Sequence, residues 1–207
     1  LNRGTNFLAR PLPWEAQLAP AFAVTAGDVD GDGHQDLFLS QNFFACRPEW
    51  PRSDGGRGLW LKGDGHGNLT PIPGQESGVQ VYGEQRGAAL GDFNEDGRLD
   101  LVVTENGAAT RLFENVGARP GLRLRLVGPP GNPFGFGASF RMHRPEGWGP
   151  AHELHAGDGY WSQNSPIQIV GGTPPDEIQV LWPGGRRTTA KLPAQARELS
   201  VDIEGRV

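Results

Sequence analysis

Residues 28–36 read DVDGDGHQD and residues 92–100 read DFNEDGRLD. Each stretch runs directly into a short apolar segment, LFLS after Asp36 and LVVT after Asp100. Aliphatic runs of that length, bounded by glycine and acidic turn residues, read as strands. An acidic loop entering a strand, found twice at a spacing of 64 positions, places the chain in the all-β class. Carboxylates crowded this closely repel one another, so the loops call for a bound cation.

The spacing says which cation. Counted from the first aspartate, Asp28, Asp30, Asp32 and Asp36 stand at loop positions 1, 3, 5 and 9. Asp92, Asn94, Asp96 and Asp100 repeat them. These are the positions from which a tight loop converges oxygens on calcium, with a backbone carbonyl at position 7, here His34 and Arg98. Gly33 and Gly97 sit at position 6, where the chain turns sharply. An EF-hand would need a bidentate glutamate at position 12 and flanking helices. Position 12 is Leu39 in one copy and Val103 in the other, so these are calcium loops entering strands, two Ca2+ sites in all. An Asx-rich turn that needs no metal is the competing reading.

The wider composition agrees with a β protein. Among 207 residues there are 32 glycines and 18 prolines, which punctuate the chain too often for long helices. The net charge of −5 lacks the clustered Lys and Arg that bind phosphates, so nucleic acid is excluded as a partner. No stretch reaches the roughly 20 apolar residues of a membrane-spanning helix. The chain opens at Leu1 without a charged-then-apolar leader, so any signal peptide is expected to have been removed already or to lie outside this sequence. Cys46 stands alone, which rules out an internal disulfide framework and a four-cysteine zinc site.

Two hairpins accompany the loops. GRGLWLKGDGHGNLTPIPG predicts strands around Leu59 and Leu61 and through Leu69 and Ile72, joined by a turn over Gly63–Gly67. LVVTENGAATRLFENVG predicts another, turning at Asn106-Gly107. The opening LNRGTNFLARPLP reads as the tail of a further hairpin. The order strand, acidic loop, strand, hairpin thus occurs twice.

On these residues, the region 1–118 resembles FG-GAP or VCBS repeats, the blades of calcium-bearing β-propellers. The resemblance implies a partial β-propeller of about two blades, which cannot close a ring alone. Beyond Arg119 the character changes to short strands and glycine turns. There GNPFGFGASFRM, ELHAGDGYWSQNS and IQVLWPGG are similar to the ASPIC/UnbV domain, predicted as a β-sandwich-like unit over 119–207. IVGG at 169–172 departs from the family's usual turn. The resemblance implies an extracellular or periplasmic protein with no established reaction.

Catalytic signals are weak. HELH at 152–155 has Ala156 where the zinc-helix pattern needs its second histidine, and on a strand His152 and His155 face opposite sides. Asp158 and Ser162 have no identifiable base and orienter, so no catalytic residue is assigned. Among the aromatics, Trp182 is expected to pack at a strand end, and one of Tyr160 and Trp161 is expected in the core and the other exposed; with Trp148 they could form a platform for sugar rings or a partner's apolar surface.

The function expected is therefore a noncatalytic, calcium-binding interaction or scaffold protein. A glycan-binding or glycan-processing protein is the alternative, and an accessory subunit of a larger envelope or membrane-bound assembly is another. An incomplete propeller leaves apolar residues such as Leu37, Leu39, Leu101 and Val103 in need of cover, from further blades, from the ASPIC/UnbV-like domain folding back, or from another protein anchored on Phe43, Phe44 and Trp50.

Overall fold

The computed structural model describes residues 4–207, and its regular structure is almost entirely strand. The reading of residues 1–13 as a hairpin tail falls partly outside the described residues; over residues 4–13 no ladder strand forms.

Among the described residues four sheets form and none closes on itself. The first holds β1 (Ala21–Gly27), β2 (Asp36–Gln41), β3 (Leu59–Gly63) and β4 (Leu69–Ile72) as an antiparallel meander. The acidic loop 28–36 joins β1 to β2, and the predicted hairpin is β3 with β4, where Trp60 lies opposite Ile72. A one-turn helix, α1 (Gly74–Ser77), leads to the second sheet. This holds β5 (Gln85–Gly91), β6 (Asp100–Glu105) and β7 (Arg111–Phe113). The second acidic loop joins β5 to β6, and Gly107 takes a φ of 73° in the turn before β7, the conformation that the Asn-Gly pair suggested.

The two repeats superpose in register. Asp36 and Gly63 in the first correspond to Asp100 and Asn115 in the second, because Gly63 and Asn115 donate their N–H groups to those aspartates at 2.9 and 2.8 Å. Leu61 then corresponds to Phe113, and Trp60 to Leu112. The second repeat stops at three strands where the first has four. β5 packs against β1 and β2, and Ala23, Phe38, Trp60, Val81, Leu90, Leu101 and Val103 share one core between the two sheets.

That core bears on what covers the apolar strand residues. Leu39, Leu101 and Val103 are at most 2 % exposed and Leu37 is half-buried, so the chain itself covers all four. Leu101 and Val103 lie in the core shared by the two repeat sheets.

The remaining strands build two further sheets. β8 (Leu122–Val127) is flanked by β12 (Gln168–Val170), antiparallel, and by β15 (Glu198–Asp202), parallel. The other sheet runs β10 (Gly147–Trp148), β9 (Ser139–Arg144), β13 (Glu177–Leu181), β14 (Arg187–Lys191), with β11 (His152–Glu153) also paired to β9. Their inner faces share a second core. Leu124, Leu126 and Val201 from one sheet meet Phe140, Met142, Ile178 and Val180 from the other. Trp182 lies in this core at 2 % exposure, and its indole N–H donates to Thr188 Oγ1 at 2.8 Å, as a buried tryptophan requires.

Candidate metal centre

Both acidic loops fold on the same backbone scaffold. Asp28 accepts the N–H groups of Asp32 and Gly33 at 3.0 and 2.9 Å; Asp92 accepts those of Asp96 and Gly97 at the same distances. Asp36 also takes the Val29 N–H at 2.9 Å, and Asp100 takes that of Phe93 at 2.8 Å. Position 1 therefore closes the loop on itself, and position 9 ties the loop to the hairpin that follows. Gly33 and Gly97 have φ of 94° and 84°, which favours glycine at position 6. Gly31 at position 4 has φ 75°, and its counterpart Glu95 holds the same left-handed conformation at 63°.

In the first loop Asp28, Asp30 and Asp36 each offer a carboxylate oxygen, all within 4.8 Å of one another. Asp28 and Asp36 are buried. Burial, only partly offset by the Gly33 N–H, and then the charges of Asp32, Asp36 and Asp30 push the Asp28 carboxyl up to about 6. Burial likewise raises Asp36. Among the described residues no basic group pairs with Asp28. Such a set of hard oxygen donors could hold a hard cation: among the described residues Asp28 and Asp36 have no basic partner, whereas Asp30 is paired with Lys62. Asp32 stands apart: it accepts the His34 N–H at 2.9 Å and pairs with Lys62 at 2.9 Å. Lys62, on β3, also pairs with Asp30, and these two carboxylates raise its pKa.

The second loop exchanges its charges. Asn94 replaces Asp30, and Glu114 occupies the position of Lys62 and accepts from Asn94 at 2.9 Å. Asp96 pairs with Arg98 at 2.7 Å. Asp92, whose side chain is 1 % exposed, pairs at 2.6 Å with Arg123 on β8.

The loops lie against the C-terminal part of the chain. Gly172 donates to the Gly31 carbonyl at 3.1 Å, and a Cβ added at Gly171 would fall 2.1 Å from Asp28 Oδ2. The departure noted at 169–172 thus has a local reason: no side chain fits between this turn and the first loop. Next to it, residues 158–165 lie along the inner strands of both repeats. Asn164 bonds Thr25 on β1 and the Leu90 N–H on β5, and the Ser165 N–H donates to Leu90 O at 2.8 Å. A cavity of about 310 Å³ remains where these parts meet, lined by Asp28, Arg144, His152, Asp158 and Asn164 among others.

The residues weighed for catalysis have structural partners. Ser162 donates its hydroxyl to Asp158 O at 2.8 Å, and the two residues form a β-bridge that shapes the 158–162 turn. His152 stacks on Phe140 with ring centroids 5.2 Å apart, and burial lowers its pKa. His155 points outward. Contrary to the expectation that one of the pair is buried, Tyr160 and Trp161 are both exposed, Trp161 at 95 %. Tyr160 packs edge-on to Phe22, which stacks under Arg86 beside Phe43. Phe44 and Trp50 are exposed nearby in sequence on the 42–58 loop. Cys46 donates weakly to Phe43 O.

The two C-terminal sheets pack their inner faces around a single core in an all-β chain, beside the pair of sheets built by the repeats. Residues 128–206 match the family model described as ASPIC and UnbV. The match starts one residue beyond β8 and supports an ASPIC/UnbV domain in this part of the chain. No curated protein matches the sequence.

Proposed function

We propose that the protein is a calcium-binding, extracytoplasmic interaction module without catalytic activity, in which two propeller-type repeats dock on an ASPIC/UnbV domain and together present a surface for another protein. The observation that carries this reading is Asp28: a buried carboxylate without a basic partner, within 4.8 Å of the carboxylates of Asp30 and Asp36. Calcium at this point would neutralise the loop at its contact with Gly171 and Gly172, so metal supports the joint between the repeats and the C-terminal domain. The partner surface in this reading is the patch of Phe22, Phe43, Tyr160 and Trp161 with Arg86, aromatic and arginine side chains being the residues that anchor interfaces.

Calorimetric titration with calcium tests the metal reading. A heat of binding that disappears in Asp28→Asn supports it, and its absence from the wild-type chain counts against it. The exposed Trp161 also suits a glycan-binding protein, since an indole stacks on sugar rings. A glycan array that depends on Trp161 would favour that second reading; affinity capture of a protein that depends on the same residue would favour the first.

A further inference from the structure

The two loops share a backbone but differ at their deepest carboxylate. Asp28 Oδ2 faces Gly171, and the Arg144 guanidinium beside it is bonded to the Gly171 carbonyl at 2.9 Å rather than to the carboxylate, whereas Asp92 Oδ2 meets the guanidinium of Arg123 directly at 2.6 Å. The Arg123 side chain is 6 % exposed. It enters from β8, its backbone N–H bonds Arg197 O at 2.9 Å, and its guanidinium lies 3.5 Å from Glu95 and 3.7 Å from Glu198. A guanidinium stays charged at every pH a protein tolerates. A divalent ion in the second loop would sit beside a fixed positive charge that shares its position-1 ligand, in surroundings that screen the repulsion poorly.

Lys62 does not play the same part in the first loop. It meets Asp30 and Asp32, its side chain is 43 % exposed, and a four-carbon stem lets an ammonium at the mouth of the loop swing into water as metal enters. Arg123 has no such exit: its side chain is almost wholly buried and is held among Asp92, Glu95 and Glu198.

We infer that the second loop carries its own cation, Arg123, and that the chain takes one calcium ion, in the first loop. This departs from the two sites that the sequence spacing implies, and it rests on the calcium reading of Asp28, Asp30 and Asp36. The second loop is then a calcium-loop scaffold used as a socket for an arginine, tying β8 of the C-terminal domain to the second repeat.

Native mass spectrometry and calorimetry with calcium count the ions, and manganese, through paramagnetic broadening of amide signals in the wild-type chain, locates them. One ion per chain, with broadening around residues 28–36, is the expected result. In Arg123→Gln the count should rise to two, with new broadening around residues 92–100. Two ions in the wild-type chain would overturn the inference while leaving the calcium reading intact. A single ion that broadens residues 92–100 instead would overturn it as well. No bound ion would sink the calcium reading itself and the one-ion count with it. The wild-type measurement decides even where Arg123→Gln fails to fold.

Discussion

Asn164, from the C-terminal domain, accepts the backbone N–H of Leu90 on β5 at 2.8 Å, and the next residue, Ser165, returns a hydrogen bond to the Leu90 carbonyl. The inner edge of the second repeat is thus paired by its own chain. Asn164→Ala should lower stability by about 1–3 kcal/mol, the cost of leaving a buried backbone donor unmatched. Hydrogen exchange should quicken at Leu90. Loss of stability without a change at Leu90 would assign the role of Asn164 to Thr25 and Asp158 instead.

Gly171 is the position where the C-terminal domain comes nearest to the first acidic loop. Gly171→Ala should weaken calcium binding and reduce stability together, because the added carbon would fall within 2.1 Å of Asp28 Oδ2. Gly78, which has open space around it but a φ of 72°, makes a control: Gly78→Ala should cost about 1 kcal/mol in backbone strain and leave calcium affinity unchanged. Calorimetry on both variants distinguishes local crowding from general destabilisation.

Calcium at one hundred times its dissociation constant should stabilise the chain by about 2.7 kcal/mol, which in a domain of this size raises the melting temperature by roughly 5–10 °C. In Asp28→Asn the melting curves in calcium and in chelator should coincide. Curves that already coincide for the wild-type chain would remove the metal from the account.

Glu84 supplies the pH dependence. Buried at 7 % exposure, it accepts from Asn106 Nδ2 at 2.7 Å and from the Phe44 N–H at 2.8 Å, with Arg86 at 2.9 Å. These donors lower its pKa from 4.5 to about 2. A carboxyl depressed in the folded state contributes stability that is fully present above the unfolded value of 4.5 and is lost as pH falls through about 2. Glu84→Gln should therefore flatten the fall in urea midpoint between those two values. An unchanged acid slope would place the titrating groups elsewhere.

Trp161 combines near-complete exposure with a φ of 52°, a conformation that L side chains adopt at a cost. Trp161→Gly should raise stability by about 1 kcal/mol while abolishing capture of a partner or glycan. A variant that loses stability would show that the indole packs in solution.

The repeats, their strands and both hairpins were legible because each rests on local signals: apolar runs, Asp-rich turns and glycines at fixed offsets. The charges that decide how the loops are used were less so. Lys62 and Glu114 hold the same place in the two repeats, and aligning the repeats strand by strand would have exposed their exchange alongside Asp30 and Asn94. Arg123 was beyond such an alignment. It lies in GLRLRLVG, where alternation marks a strand with basic residues expected outward, yet Arg123 is 5 % exposed and Arg125 points to solvent. Only the docking of β8 against the second repeat separates them, and docking between distant segments leaves no periodic trace. The exposure of both Tyr160 and Trp161 escaped for a related reason: alternation applies to strands, and these residues lie in a turn.

The parallel pairing of β15 with β8 bears on the order in which the chain acquires its structure. Leu124 lies opposite Leu199, so the early strand keeps an unmatched edge until nearly the last described residues have been synthesised. The ladders within the two repeat sheets join residues close in sequence and can form while the chain is still emerging, before Asn164 and Ser165 reach the β5 edge. The C-terminal sandwich must wait for its final strand, and closing so long a loop is slow. During that interval the β8 edge stays open to other chains, making the last strand both the closing step of folding and the guard against aggregation.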